Sequence, residues 1–251
     1  MPRLELSITG IHSLQEVAKG DDLAELIALA IRSEKLDLLP KDIIVITHKV
    51  VSKAEGRLVQ LETIIPSCLA EEWAKLHNKD PRVVELILRQ SHRIVRMEKG
   101  ILITETKHGF VCANAGVDCS NVPKGMALLL PKNPDLSARQ LRDSLVKEFG
   151  VSLAIIITDT FGRPWRDGQV NFAIGVAGLE GLRDYRGEED TFGRKLEASV
   201  IAVADELAAA AELVMGKTQR IPLACIRGFD FQEQDGSGQS LIRPLKDDLF
   251  R

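Results

Sequence analysis

Seven consecutive residues, Val151 to Ile157, include five large aliphatic side chains, three of them the isoleucines 155 to 157. The run is too short for an ordinary helix and rich in β-branched residues, so it reads as a strand buried on both faces. Such a strand needs a packed layer on each side of its sheet, which directs the chain toward an α/β architecture. The chain then turns polar, in Thr158-Asp159-Thr160-Phe161-Gly162-Arg163-Pro164-Trp165-Arg166. Asp159 is expected at the carboxyl end of the strand, where open α/β sheets bind their ligands. Its hard oxygen suits Mg²⁺ or Mn²⁺, the Thr160 hydroxyl can join it, and Arg163 and Arg166 can hold phosphate oxygens bridged by such a metal. The same segment also suits a turn-capping aspartate followed by surface arginines.

The 251 residues suffice for one large domain or two smaller ones. Lys and Arg number 33 against 36 Asp and Glu, a net charge of -3, so there is no basic field to attract nucleic acid. No apolar run approaches the roughly 20 residues needed to span a bilayer. The opening Met1-Pro2-Arg3-Leu4-Glu5 lacks a signal-peptide core, so a cytoplasmic protein without a membrane partner is expected. Four cysteines, Cys68, Cys112, Cys119 and Cys225, have no metal-ligand spacing and are expected as reduced thiols.

Along the chain, Asp21 and Asp22 cap an expected helix with Leu23, Leu26, Ile27, Ala30 and Ile31 on one face. Ile43 to Thr47 reads as a buried strand, and His48 to Gly56 as a charged loop after it. Asp80-Pro81 opens another helix with Val84, Ile87 and Leu88 inward. Ile94 to Met97, Ile101 to Thr106 and Phe110 to Ala113 form an expected antiparallel meander. Gly116 to Asn121 then carries Asp118, a second carboxylate in a small polar turn and the natural partner for Asp159. Asp135 or Ser137 starts a helix with Leu141 and Leu145 inward, Asn171 to Ala177 suggests a strand, and an alanine-rich helix is expected from about Arg194 to Met215, ending at Gly216. Pro222 to Ile226 reads as a last core strand, and Asp235-Gly236-Ser237-Gly238 as a mobile tail.

Several familiar motifs find no full match. The stretch 211 to 218 ends like a P-loop, but it has Ala211 for the first glycine and closes a helix where a P-loop opens one. A haloacid-dehalogenase phosphatase needs an aspartate two positions after Asp159, and Phe161 stands there. The five histidines lack metal-ligand spacing, and no G-x-S-x-G elbow occurs. Lys49 and Lys53, four apart, suit a solvated loop from spacing alone. Together with Asp118, Asn121, Asp159, Arg163 and Arg166, they also make up the parts for binding a nucleoside triphosphate through bridging metals.

In order, Gly20-Asp21-Asp22-Leu23, His48 through Gly56, His108 through Asp118, Thr158 through Arg163, and Ala204-Asp205-Glu206-Leu207-Ala208 resemble the coenzyme F420:L-glutamate ligase family. The resemblance runs through Arg243-Pro244 to Asp248-Leu249-Phe250. It implies a single ligase domain over residues 1 to 251, with room for two subdomains, and a mixed α+β fold specific to the family and neither P-loop nor Rossmann. It implies an intertwined homodimer, and no second nitroreductase-like domain of the kind some bacterial relatives carry after the ligase. The implied reaction joins L-glutamate to the deazaflavin precursor F420-0 by an amide bond, using GTP and one or two divalent ions (Mg²⁺ or Mn²⁺). An acyl phosphate would form on the lactyl arm, and GDP and phosphate would be released. Carried over by matching motif, Asp118, Asp159 and Thr160 resemble the metal ligands. Ile11, His12, Ser13, Leu14, His48, Lys49, Lys53 and Asn121 resemble nucleotide contacts, as do Met215, Gly216, Lys217 and Thr218, although some relatives have an acidic metal ligand in that last stretch. No residue emerges as general base. Two other readings stay open: a ligase of the same fold acting on another carboxylate, and a nucleotide-sensing module without turnover.

Overall fold

The computed structural model describes residues 5–249; Met1 to Leu4 of the N-terminal reading and Phe250 of the closing motif lie outside them. In chain order the elements are β1 (Ser7–Ile11), α1 (Leu23–Ser33), β2 (Asp42–Thr47), α2 (His48–Ala54), β3 (Leu58–Gln60), α3 (Cys68–His77), α4 (Pro81–Gln90), β4 (Ser91–Glu98), β5 (Ile101–Thr106), β6 (Val111–Ala113), β7 (Met126–Leu128), α5 (Pro134–Phe149), β8 (Leu153–Arg163), β9 (Arg166–Leu179), β10 (Arg183–Asp184), β11 (Val200–Ile201), α6 (Val203–Met215), β12 (Leu223–Arg227) and β13 (Glu233–Gln234).

The isoleucine runs of β2 and β8 lie side by side at the centre of a six-stranded mixed sheet, ordered β1-β12-β2-β8-β9-β13. They are its one parallel pair among the described residues; the other neighbours are antiparallel. Successive strand residues face opposite sides, and both sides are filled. Ile44, Ile46, Ile155 and Ile157 join a core with Ile27 and Ile31 of α1 and Leu141 and Leu145 of α5. Ile43, Val45, Ala154 and Ile156 meet Ala204, Leu207, Ala208 and Ala211 of α6. The result is a mixed α/β fold of helices on both faces, with neither the parallel sheet of a Rossmann domain nor its topology. The expected meander is present as the separate antiparallel sheet β4-β5-β6. Among the described residues no helix is long and apolar enough to cross a membrane.

Local chemistry sets most boundaries. Asp22 caps α1 through Glu25 N, and Asp80 caps α4 through Arg82 N ahead of Pro81. Five expectations change. His48 to Ala54 is a helix: the two turns of α2 bury His48, Val51 and Ser52, a helical spacing too short to stand out in the sequence. The cap of α5 is Asn133, whose side chain accepts from Leu136 N, and Asp135 sits inside the first turn. The last long helix starts at Val203 because Val200 and Ile201 pair as strand β11 with β10. Strand β8 runs past Asp159 to Arg163, paired all the way with β9 in a hairpin. The tail at 235–238 is packed: Gly238 is buried, its amide donates to Asp135 Oδ1 at 2.7 Å, and Ser237 Oγ donates to Asp135 Oδ2.

Candidate functional site

Three strand ends line up along one edge of the central sheet, where β8 passes through at the same level. Ile11 of β1 pairs with Leu223 of β12, Leu223 with Ile46 of β2, and Thr47 of β2 with Thr158 of β8. Most of the segments singled out from the sequence leave from this edge: residues 12–14 after β1, α2 after β2, residues 215–222 before β12, and Asp159 and Thr160 along β8. Residues scattered over more than two hundred positions are brought together by strand register.

Because β8 does not end at Asp159, side-chain alternation persists and splits the neighbouring pair. Asp159 faces α2. Its Oδ1 lies 3.3 Å from His48 Nε2 and accepts the Thr160 amide at 2.7 Å. His48 is buried, its Nδ1 is 3.3 Å from Ser52 Oγ, and its Nε2 has no hydrogen bond, the 3.3 Å approach being off the line of one. The next residue of α2, Lys49, sets Nζ 2.6 Å from Asp118 Oδ2 and 2.9 Å from Ser120 Oγ. Adjacent residues at the start of one helix thus hold the two aspartates. Burial works against the charge of Asp118, but hydrogen bonds from Lys49 and Ser120 more than offset it, and its carboxyl stays below the usual carboxylate range.

Thr160 turns to the other face. Its hydroxyl meets Asn171 Oδ1 at 2.7 Å on the paired strand and Lys217 Nζ at 2.5 Å. Asn171 Nδ2 donates to Glu212 Oε2 at 2.8 Å, and Lys217 Nζ lies 3.0 Å from Glu212 Oε1. Strand pleating thus turns the Thr160 hydroxyl, expected beside Asp159 around one metal, away from that carboxylate, and Lys217 donates to it. Asn171 and Glu212 were missed by sequence reasoning. A buried Asn opening an apolar strand was the only signal for the first, and a Glu one turn before a helix-ending Gly the only one for the second.

Other expected residues divide. The amides of His12 and Ser13 both donate to Glu34 Oε1, while the side chains of Ile11 and Met215 are buried in the core, which leaves only their backbone for a ligand. Lys53 ion-pairs with the exposed Glu16, and Gly216 ends α6 at φ 59° with Lys217 and Thr218 exposed beyond it. Asn121 sits in an exposed turn three residues after Asp118 at φ 54°. Arg163 and Arg166 pair at the hairpin tip, where Arg163 Nη2 donates to Asp167 O at 2.7 Å. The β8–β9 hairpin carries both away from Asp159.

Among the described residues one position fits a divalent cation. Among the described residues no group of three or more His, Cys, Asp or Glu side chains forms a ready-made metal cluster. Asp159 nevertheless keeps Oδ2 without a hydrogen bond among the described residues, and it faces the unpartnered buried nitrogen of His48. A carboxylate oxygen is the donor Mg²⁺ or Mn²⁺ prefers. Thr160 does not fit, since Lys217 already holds its oxygen. Thiols take no part: burial, then the charge of Asp159, pushes Cys112 up to about 12, so it stays protonated. Beside Asp118 a cavity of about 450 Å³ opens between α4 and β5, with Val83, Ile87, Leu102 and Val117 in its wall and Asp80 and Asp118 among its polar groups.

Comparison with known proteins converges on one description. The family model described as F420-0:Gamma-glutamyl ligase matches residues 12–228. The chain is similar to the coenzyme F420:L-glutamate ligase of Methanothermobacter thermautotrophicus, 47% identical over 249 residues, which cover 98% of this chain and 99% of that protein. The protein of the same name from Methanopyrus kandleri is 47% identical over 251 residues, 98% of each chain. The one from Haloarcula marismortui is 41% identical over 249 residues, 96% of this chain and 95% of that one.

Proposed function

The chain belongs to the F420-0:gamma-glutamyl ligase family, and from that premise we propose that it joins L-glutamate to coenzyme F420-0 in a reaction driven by GTP. The observation that carries the reading is the start of α2, where His48 and Lys49 engage Asp159 and Asp118 at the sheet edge. A carboxylate is a poor electrophile. Its oxygen therefore attacks the γ-phosphorus of GTP, GDP leaves, and the resulting acyl phosphate is attacked by the glutamate amine with loss of phosphate and a proton.

The chain's own residues suit the demands of these steps. Lys49 and Lys53, on one face of α2, supply ammonium groups to a triphosphate, and Lys53 gives up only an exposed ion pair, worth little. The amides of His12 and Ser13, which hold a carboxylate oxygen, offer the same donors to an anionic ligand. When bound at Asp159, a divalent ion supplies positive charge to the triphosphate and to the charge developing in transfer. The cavity beside Asp118 has the size of a small-molecule site. Its aliphatic wall suits the planar ring of the acceptor.

GDP and phosphate are expected only when F420-0, L-glutamate, GTP and metal are all present; release without acceptor, or a preference for ATP, would sink the reading. Asp159→Asn is nearly isosteric and is expected to keep the fold but lose on the order of a hundredfold in rate. We also expect a homodimer, in keeping with the family, and a stable monomer by light scattering at micromolar concentration would overturn that part.

A further inference from the structure

The carboxylates around the sheet edge are unequally satisfied. Asp118 is ion-paired with Lys49 at 2.6 Å, Glu212 with Lys217 at 3.0 Å, and Glu16 with Lys53. Glu34 is taken up by the amides of His12 and Ser13. Asp159 alone in this set has neither an ammonium nor a pair of amides: its partners are one amide and a histidine nitrogen outside hydrogen-bond geometry. Asp159 is thus the carboxylate of this set with the weakest partners, and the one best placed to take a divalent ion.

On the other face of β8 a cation is already in place. Lys217 Nζ donates to Thr160 Oγ1, which donates in turn to Asn171 Oδ1, and Asn171 Nδ2 donates to Glu212, which closes the ring on Lys217. Each of the four side chains in this ring is bonded to two others of it, and Asn171 is buried, so the ammonium has a defined seat although its stem is exposed. The seat also lies next to the carboxyl end of α6, whose free carbonyls favour positive charge. A divalent ion bound to the same threonine oxygen at about 2.1 Å would press directly on the ammonium, like charge on like.

We propose that Lys217 is the second cation of this site. Its ammonium, seated by Thr160 and Glu212, faces the phosphates from the α6 side while Lys49 faces them from the α2 side, and a single divalent ion at Asp159 serves the reaction. Asn171 and Glu212 are positioning residues for that ammonium. The proposal rests on the GTP reading above.

Equilibrium dialysis of the full chain with saturating GDP, with bound Mn²⁺ counted by electron paramagnetic resonance, separates the two claims. One Mn²⁺ per bound GDP is expected. Lys217→Gln should leave that count at one and raise the GTP KM by about tenfold or more, the cost of one charged phosphate contact, with Lys217→Arg recovering most of it. Two Mn²⁺ per bound GDP would overturn the proposal and leave the ligase reading standing, as would an unchanged GTP KM in Lys217→Gln. A chain that binds no guanine nucleotide would overturn both.

Discussion

At the scale of single residues, the structure turns on which atoms carry protons. His108 Nε2 lies 2.9 Å from Pro131 O and 3.2 Å from Lys132 O, two acceptors, so the neutral ring carries its proton there. Its Nδ1 is buried without a hydrogen bond, and a second proton would find no acceptor. Burial, only partly opposed by the two carbonyls, therefore holds the imidazole below its ordinary value. The unfolded chain then takes up a proton more readily than the folded one, so this residue costs nothing above about pH 6.5 and destabilises as pH falls through that value toward the folded one. His108→Gln, which keeps an amide donor and cannot titrate, should lose less thermal stability than the parent between about pH 7.5 and about pH 5.5. An equal loss in both would show that His108 does not contribute. At this scale the sequence was a partial guide: Asp118, Asp159 and Lys49 could be picked out as chemistry-bearing types near apolar strands. Glu212 and Asn171, which hold Thr160 and Lys217 across the sheet, could not, because nothing local distinguishes a glutamate or asparagine that a fold will bring to a site from one that it will not.

At the scale of elements, the apolar runs of β2, β8 and β12 and the capped helices α1 and α4 were legible because period and capping chemistry are local. The boundaries that failed depend on pairing. Strand β8 outlives its apolar run because β9 supplies hydrogen bonds as far as Arg163, and that extension sends Asp159 and Thr160 to opposite faces. Val200 and Ile201 leave the helical pattern because β10 pairs with them. The seat of α5 on β9 depends on one residue. A Cβ at Gly175 would stand 2.5 Å from Pro134 O, a backbone atom that cannot swing aside, just where Asp135 accepts the Val176 amide at 2.9 Å. Gly175→Ala should therefore destabilise by about 1–3 kcal/mol or more, as overpacking does. Gly162→Ala, with open space around the new methyl, should be near neutral. Equal urea midpoints for the two variants would mean that this approach is not a tight one.

At the scale of the whole molecule, the site is a product of sheet order. The order β1-β12-β2-β8 sets the ends of β1, β12 and β2 in a row beside Thr158 of β8, so segments far apart in sequence converge without any one of them carrying a compact motif. This explains why the site could be assembled from sequence only through resemblance across most of the chain. The central claim is that an acceptor carboxylate is activated at this edge by phosphoryl transfer from GTP before glutamate attacks. The most direct measurement is mass spectrometry of the products formed with F420-0 whose lactyl carboxylate carries oxygen-18, in the presence of GTP, L-glutamate and Mn²⁺ or Mg²⁺. A deazaflavin product extended by glutamate, together with inorganic phosphate containing one labelled oxygen, is the predicted result. Ligated product with unlabelled phosphate, or no ligated product, would contradict it.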